Sequence, residues 1–131
     1  MKSQMDAETN SLNRVTEAVI GCAYRVSSGL GCGFFEKVYE NALVHELRKD
    51  GLCLEQQKRF NILYDGVNVG EYIADLVVEN VVIVETKAVQ AIEKIHVAQC
   101  LNYLKATGLK LGLVLNFGTT RVSVKRVVNR L

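Results

Sequence analysis

Two acids and a lysine interrupt a pair of apolar runs in the middle of the chain. Asp75 lies within residues 72–78, and Glu85 and Lys87 lie within residues 81–89. Charged side chains in such strand-like runs are costly unless they are paired or bind a metal. Glu85 and Lys87 are two residues apart, so on a strand they point to the same face. Convergence of the three predicts a site for a hard cation and an activated water.

The chemistry of these three side chains favours phosphate hydrolysis. Two carboxylates are suited to Mg²⁺ or Mn²⁺, which prefer oxygen ligands. A bound divalent cation lowers the pKa of a water and neutralises charge on a phosphate oxygen. The ammonium of Lys87 can orient that water or stabilise the developing charge. The alternative is a structural salt bridge between Lys87 and Asp75 or Glu85, and the spacing alone does not decide between the two interpretations.

The periodicity of the chain predicts eight elements in the order ααβββαββ. Apolar residues at helical spacing predict helices over 11–28, 35–49 and 91–107. Alternating or continuous apolar runs between turn signals predict strands over 55–64, 70–78, 81–88, 110–117 and 121–128. Residues 1–10 are interpreted as a polar N-terminal tail, and residues 11–131 as a single α+β domain.

The turn between the second and third strands provides a test of the site. If only Glu79 and Asn80 formed this turn, Asp75 would lie on the opposite face from Glu85 and Lys87. A loop of odd length, or a bulge, would return all three to one face. The site hypothesis therefore predicts a three-residue loop or a bulge at this turn.

The two helices next to these strands carry further candidates. His96, Gln99 and Tyr103 have the i, i+3 and i+7 spacing that places them along one face of the third helix. Glu36 lies in the first turn of the second helix, where an acid favours the helix dipole. Tyr39 is expected in the core. Ordinary surface polarity explains the three residues of the third helix about equally well.

Composition limits the class of protein without naming a function. The chain has 131 residues and a net charge of +2, which permits a nucleic-acid partner without requiring one. Its four cysteines form no CxxC pair, so neither a zinc site nor a disulfide framework is indicated. There is no apolar stretch of 18 residues and no signal-peptide core. These features predict a reduced, cytoplasmic protein with no membrane partner.

Several motifs taken together resemble a known family. The sequence Gly-Phe-Phe-Glu-Lys-Val-Tyr at residues 33–39 matches the signature of the GxxExxY proteins. The resemblance covers nearly the whole chain, from about Val15 to Val128. This family is placed in the PD-(D/E)xK phosphodiesterase superfamily. The further matching segments are residues 74–76, 82–89, 96–99, 103–104 and 108–117.

The resemblance implies a fold and the roles of the strand residues. The fold would be of the α/β/α type, with a central mixed sheet flanked by helices and a restriction-endonuclease-like αβββαβ core. Asp75 and Glu85 would be the metal-ligating carboxylates, with the backbone carbonyl of Thr86 as a further ligand. Lys87 would be the catalytic lysine. Ala74 replaces the proline of the superfamily's name, which leaves the carboxylate of Asp75 in place.

The resemblance also implies roles for helical residues. Glu36 would be the helix-borne acid that completes the metal shell. Gln99 and Tyr103 are similar to the QxxxY element of RecB-type nucleases, which supports the active lysine and contacts nucleic acid.

The leading hypothesis is a nuclease-like phosphodiesterase that depends on Mg²⁺ or Mn²⁺ and cleaves the backbone of DNA or RNA through a metal-activated water. The alternative is a non-catalytic binding or assembly module that keeps the fold. The small size of the chain is compatible with a homodimer that presents two sites to a duplex.

Overall fold

The predicted order of elements is confirmed. In the computed structural model residues 4–130 are described, with their side chains from residue 7 onward. The two classes of element occur in the order ααβββαββ, which is an α+β fold. The elements are α1 (Gln4–Leu30), α2 (Glu36–Lys49), β1 (Leu54–Tyr64), β2 (Val67–Val78), β3 (Val82–Lys87), α3 (Lys94–Thr107), β4 (Leu111–Asn116) and β5 (Ser123–Val128).

The five strands form one mixed sheet in the order β1-β2-β3-β4-β5. β3 and β4 are parallel, and the other neighbours are antiparallel. A parallel pair needs a crossover, and α3 provides it between β3 and β4. The sheet is therefore flanked by helices, as in restriction-endonuclease-like folds.

Two hydrophobic cores lie on opposite faces of this sheet. The larger core joins α1 and α2 to the sheet, with Leu43 and Leu47 packed among Leu76, Val84 and Leu113. The smaller core lies under α3. Gly112 on β4 brings α3 close, because a Cβ at this position would collide with the thiol of Cys100. β3 and β4 are covered on both faces, which explains their nearly continuous apolar sequences.

The first helix is longer than predicted. It begins at Gln4, so residues 4–10 of the predicted polar tail are helical, while residues 1–3 lie outside the described part. Asn10 or Ser11 could cap a helix that begins at about residue 11. The residues before them include glutamine, methionine, alanine and glutamate, whose helix propensity extends it further. Glu8 also pairs with Lys110 at 3.3 Å, which joins this first part of the helix to the start of β4.

The loop between β2 and β3 contains three residues, as the site hypothesis predicts. Val78 pairs with Val82, so residues 79–81 form the turn. Glu79 and Asn80 adopt left-handed backbone conformations, with φ of 53° and 59°. Two hydrogen bonds to Cys53 hold this turn, because the Glu79 carboxylate accepts the Cys53 N–H at 2.7 Å and the Glu79 N–H donates to the Cys53 carbonyl at 2.9 Å. The odd loop length places Asp75 beside Glu85 in the register.

Candidate active site beside β3

The paired part of β2 and β3 ends just before the two acids. The last pair is Leu76 with Val84, so Asp75 and Glu85 are the next residues on each strand. β2 also rotates here: Leu76 packs in the larger core, whereas Ala74, two residues earlier, packs in the smaller one. Opposite Asp75, Gln57 interrupts β1 with a φ of 56°. β1 and β2 are thus both irregular at this point, so the Asp75 side chain does not follow the regular alternation of faces along the strand.

The Asp75 carboxylate is held by its neighbours on the adjacent strands. Its Oδ2 accepts hydrogen bonds from the Thr86 N–H at 2.9 Å and from the Thr86 hydroxyl at 3.1 Å. Its Oδ1 accepts a longer bond of 3.4 Å from the Gln57 amide. Thr86, which the resemblance implicated through its carbonyl, therefore also fixes Asp75 through its amide and its buried hydroxyl.

Glu85 is half-buried and lies close to Asp75. Burial is the main cause that raises its pKa to about 8, and the negative charge of Asp75 is the second. The Tyr72 hydroxyl donates a hydrogen bond to Glu85, and this bond and the charge of Lys87 act in the opposite direction. Glu85 consequently holds a proton at neutral pH when no cation compensates Asp75.

This pair of acids has the donor chemistry of a divalent-cation site. Ionisation of both acids is unfavourable without a compensating charge, and a hard cation in place of the Glu85 proton would stabilise the two carboxylates. Within residues 4–130, no group of three or more His, Cys, Asp or Glu side chains is arranged to hold a metal. Mg²⁺ needs only one or two carboxylates, since water and substrate phosphates complete its shell. Asp75 and Glu85 thus fit such an ion.

A cavity of about 350 Å³ opens between β3 and α3 in front of Glu85. Five of the candidate residues, on two different elements, line this cavity, whereas Asp75, Thr86 and Glu36 do not. Among the described residues, no ion pair joins Lys87 to Asp75 or Glu85, so the salt-bridge interpretation finds no support. The cavity is lined by Glu71, Tyr72, Ile73, Glu85, Lys87, His96, Gln99, Cys100, Tyr103 and Val114.

Tyr103 packs against the same tyrosine that binds Glu85. Its ring stacks on Tyr72 with the centroids 3.6 Å apart and the planes within 10°. Tyr72 is buried, and its pKa is raised mainly by that burial and then by the negative charge of Glu85. A phenol held neutral in this way remains a hydrogen-bond donor to Glu85. No pattern in the sequence distinguishes Tyr72 from an ordinary apolar strand residue.

The backbone that carries Lys87 is fixed by β4. The Phe117 N–H donates to the Lys87 carbonyl at 2.8 Å. The buried amide of Asn116, the partner of Lys87 in the parallel pairing, bonds both the N–H and the carbonyl of Val89, at 3.0 and 2.9 Å. Asn116 therefore holds the segment that follows Lys87. Sequence reasoning assigned Asn116 no role, although a polar residue that ends a fully apolar strand is a signal.

Two acids of α2, Glu36 and Glu40, differ in their contacts with the candidate site. Glu36 is exposed and, among the described residues, forms no hydrogen bond or ion pair. Glu40, one turn later, is 2% exposed and accepts hydrogen bonds of 3.1 Å from Gln57. Gln57 also contacts Asp75, so it links the two carboxylates. Glu40 was detectable in the sequence, because it lies in the otherwise apolar stripe that packs α2 on the sheet.

Tyr39 has the structural role predicted for it. It is fully buried and stacks on Phe117 with the ring centroids 4.8 Å apart. Its hydroxyl donates to the Gly31 carbonyl at 2.6 Å and accepts the Phe34 N–H at 3.1 Å. The tyrosine of the Gly-x-x-Glu-x-x-Tyr sequence therefore fixes the loop between α1 and α2.

Comparisons with known proteins agree with this fold. The family model of the PD-(D/E)XK nuclease superfamily matches residues 13–127. The chain is also similar to the crystal structure of SSO0001, with a TM-score of 0.54 and 17% sequence identity over 73% of this chain. The match spans only 51% of the SSO0001 chain, and at this identity it shows the fold alone. No curated protein matches the sequence.

Proposed function

Since the chain belongs to the PD-(D/E)XK nuclease superfamily, we propose that it is a metal-dependent nuclease that hydrolyses phosphodiester bonds in the backbone of nucleic acid. The observation that carries the proposal is the three-residue loop at 79–81, which puts Asp75 beside Glu85. Lys87 lies two residues after Glu85 on β3 and lines the cavity beside α3. Nucleases of this superfamily generally use divalent metals.

Asp75 and Glu85 would hold the ion, Mg²⁺ or Mn²⁺, with the Thr86 carbonyl as a further ligand. When bound, such an ion lowers the pKa of a water and neutralises negative charge on the phosphate. The Gln57 amide donates hydrogen bonds to both Glu40 and Asp75, which supports Glu40 as the acid of α2 that contributes to this site.

The remaining residues bind and orient the substrate. The Lys87 ammonium, which has no carboxylate partner among the described residues, is available to stabilise charge on a phosphate oxygen. The Gln99 amide lines the cavity beside Lys87 and would support it. Tyr103, supported from behind by Tyr72, would contact the nucleic acid. Catalysis here requires Glu85 to lose its proton, so activity rises with pH until the carboxylate is ionised.

The biological setting is part of the proposal. The four cysteines are free, which supports a reducing compartment such as the cytoplasm. No helix of residues 4–130 has the length and apolar character needed to cross a bilayer. A homodimer would present two sites to a duplex, and membership of the narrower GxxExxY family would agree with the signature at residues 33–39.

The test is cleavage of labelled single- and double-stranded DNA and RNA with Mg²⁺ or Mn²⁺, compared with EDTA. Metal-dependent cleavage by the wild type should be lost in Asp75→Ala and Lys87→Ala. Activity that survives in both variants would point to a contaminating nuclease and contradict the proposed site. Absence of cleavage on every substrate, together with no Mn²⁺ binding by calorimetry, would favour a non-catalytic binding module instead.

A further inference from the structure

His96 is a cavity residue whose ring orientation is set by the start of α3. Its Nδ1 accepts a hydrogen bond of 3.0 Å from the backbone N–H of Glu93. In return, the backbone N–H of His96 donates to the Glu93 backbone carbonyl at 3.0 Å, so two reciprocal hydrogen bonds join the two residues at the start of the helix. His96 is therefore held by hydrogen bonds both to its backbone and to its ring.

This hydrogen bond also determines which ring nitrogen carries the proton. A nitrogen that accepts a bond from an N–H has its lone pair free, so Nδ1 is unprotonated. The neutral imidazole then carries its hydrogen on Nε2. Among the described residues, no hydrogen bond is made by Nε2. His96 thus brings an unused donor to a cavity wall.

The other walls of the cavity show what this donor would meet. Lys87 and Gln99 contribute further donors, while Glu71 and Glu85 contribute carboxylates. A phosphate needs several donors, but a second full positive charge at His96 would pair with these acids instead. A neutral N–H avoids that competition. The chemistry of the cavity therefore matches a phosphodiester group whose oxygens are shared among Lys87, Gln99 and His96.

We propose that the Nε2–H of His96 donates a hydrogen bond to a non-bridging phosphate oxygen of the nucleic-acid backbone and positions the substrate against Lys87. This inference rests on the proposed nuclease function and adds a substrate-binding residue to it. His96 does not act as a metal ligand in this arrangement, because ligation requires the lone pair and Nε2 carries the hydrogen.

Two substitutions separate the donor from the cap. His96→Asn places an amide oxygen where Nδ1 lies, so it can still accept the Glu93 N–H, but its amide group is too short to reach the position of Nε2. His96→Gln is long enough to bring an amide donor to that position, and glutamine is itself a favoured residue at this place in a capping box. Both variants should melt within a few degrees of the wild type.

The experiment measures KM and kcat for a fluorescent oligonucleotide with Mg²⁺ or Mn²⁺, and binding of the same oligonucleotide in EDTA by fluorescence anisotropy. His96→Asn should raise KM and weaken binding about tenfold, the usual effect of losing one hydrogen bond to a charged group. Its kcat should change less than about twofold, because a contact made equally in ground state and transition state affects KM alone. His96→Gln should restore binding to within about threefold.

Two results would overturn the contact while leaving the nuclease function in place. One is wild-type KM and binding in His96→Asn, which would reduce His96 to a helix cap. The other is an equal loss in both variants accompanied by a lower melting temperature, which would show that the damage comes from α3 itself. A wild-type protein that neither cleaves nor binds any nucleic acid would overturn the proposed function and the contact with it.

Discussion

The two faces of the sheet differ in how completely helices cover them. On one face, α1 and α2 cover the strands with a continuous apolar core that includes Leu43, Leu47 and Leu113. On the other face, the single helix α3 covers the sheet incompletely. The uncovered part is the cavity that exposes Glu85 and Lys87.

This difference shows how the fold tolerates an unfavourable site. Burial and the nearby Asp75 raise the pKa of Glu85, which destabilises its ionised form. The larger core on the opposite face supplies hydrophobic stabilisation that does not depend on protonation or on a metal. Substitutions on the two faces should therefore separate stability from activity.

The largest expected effect is on the cavity face. Lys87→Ala should reduce cleavage about a thousandfold, equivalent to about 4 kcal/mol of lost transition-state stabilisation. Its unfolding free energy should change by less than about 1 kcal/mol, because Lys87 makes no ion pair among the described residues. Cleavage assays and urea denaturation measure the two quantities. Lys105→Ala, an exposed lysine of α3, is the matched control and should cleave normally.

The second effect belongs to the opposite face. Leu47→Ala should lower the unfolding free energy by about 2–5 kcal/mol, because a fully buried side chain leaves a cavity. At a temperature where it remains folded, its kcat should stay near that of the wild type. Leu104→Ala, at a buried position of α3, should lower both stability and activity, since α3 also carries Gln99 and Tyr103. Equal loss of activity in the two variants would remove the distinction between the faces.

The third prediction concerns the pH dependence of stability without metal. Glu85 has a folded pKa of about 8 against a usual 4.5, so between these values the folded protein binds the proton that the unfolded chain has lost. The stabilisation from that proton is present below pH 4.5 and is lost as the pH rises through 8. In EDTA, urea denaturation should show roughly 4 kcal/mol less stability at pH 9 than at pH 5, since the proton difference spans about three pH units at about 1.4 kcal/mol each.

Two comparisons isolate Glu85 as the cause of this slope. Glu85→Gln should flatten most of it, because the amide does not titrate. Addition of Mn²⁺ at pH 9 should restore stability to the wild type but not to the variant, since a ligand that binds only the folded state stabilises it. A slope unchanged in Glu85→Gln would mean that another group is responsible.

The smallest predicted effect distinguishes the two acids of α2. Glu40→Gln should weaken Mn²⁺ binding or cleavage about tenfold, about 1.4 kcal/mol, because it disturbs the contact through Gln57 to Asp75. Glu36→Gln should change either quantity less than about twofold, since Glu36 is exposed. Calorimetry and cleavage rates of the two variants provide the measurement. The reverse order of effects would restore Glu36 as the acid of the metal shell.

Much of the fold was predictable because its signals are local. Helical and alternating periodicity gave the eight elements in the correct order, and the wrong start of α1 arose where a favourable cap competed with good helix formers. The residues of the candidate site were harder to predict from the sequence. Glu40, Tyr72 and Asn116 matter through partners that are distant in the sequence, and no local pattern identifies those partners.

The sequence by itself determined that Asp75, Glu85 and Lys87 interrupt adjacent apolar strands. It also showed that whether these three side chains share one face of the sheet depends on the number of residues in the loop between the strands. Only the tertiary structure decided the length of this loop, since the turn in which Glu79 and Asn80 are left-handed is held by two hydrogen bonds between Glu79 and Cys53, the residue before β1. It also buried Glu40 against Gln57 and left Glu36 exposed, because the direction of a helical side chain depends on how the helix packs against the sheet. Spacing along the chain is a local property, whereas the environment of a carboxylate is created by segments that only folding brings together.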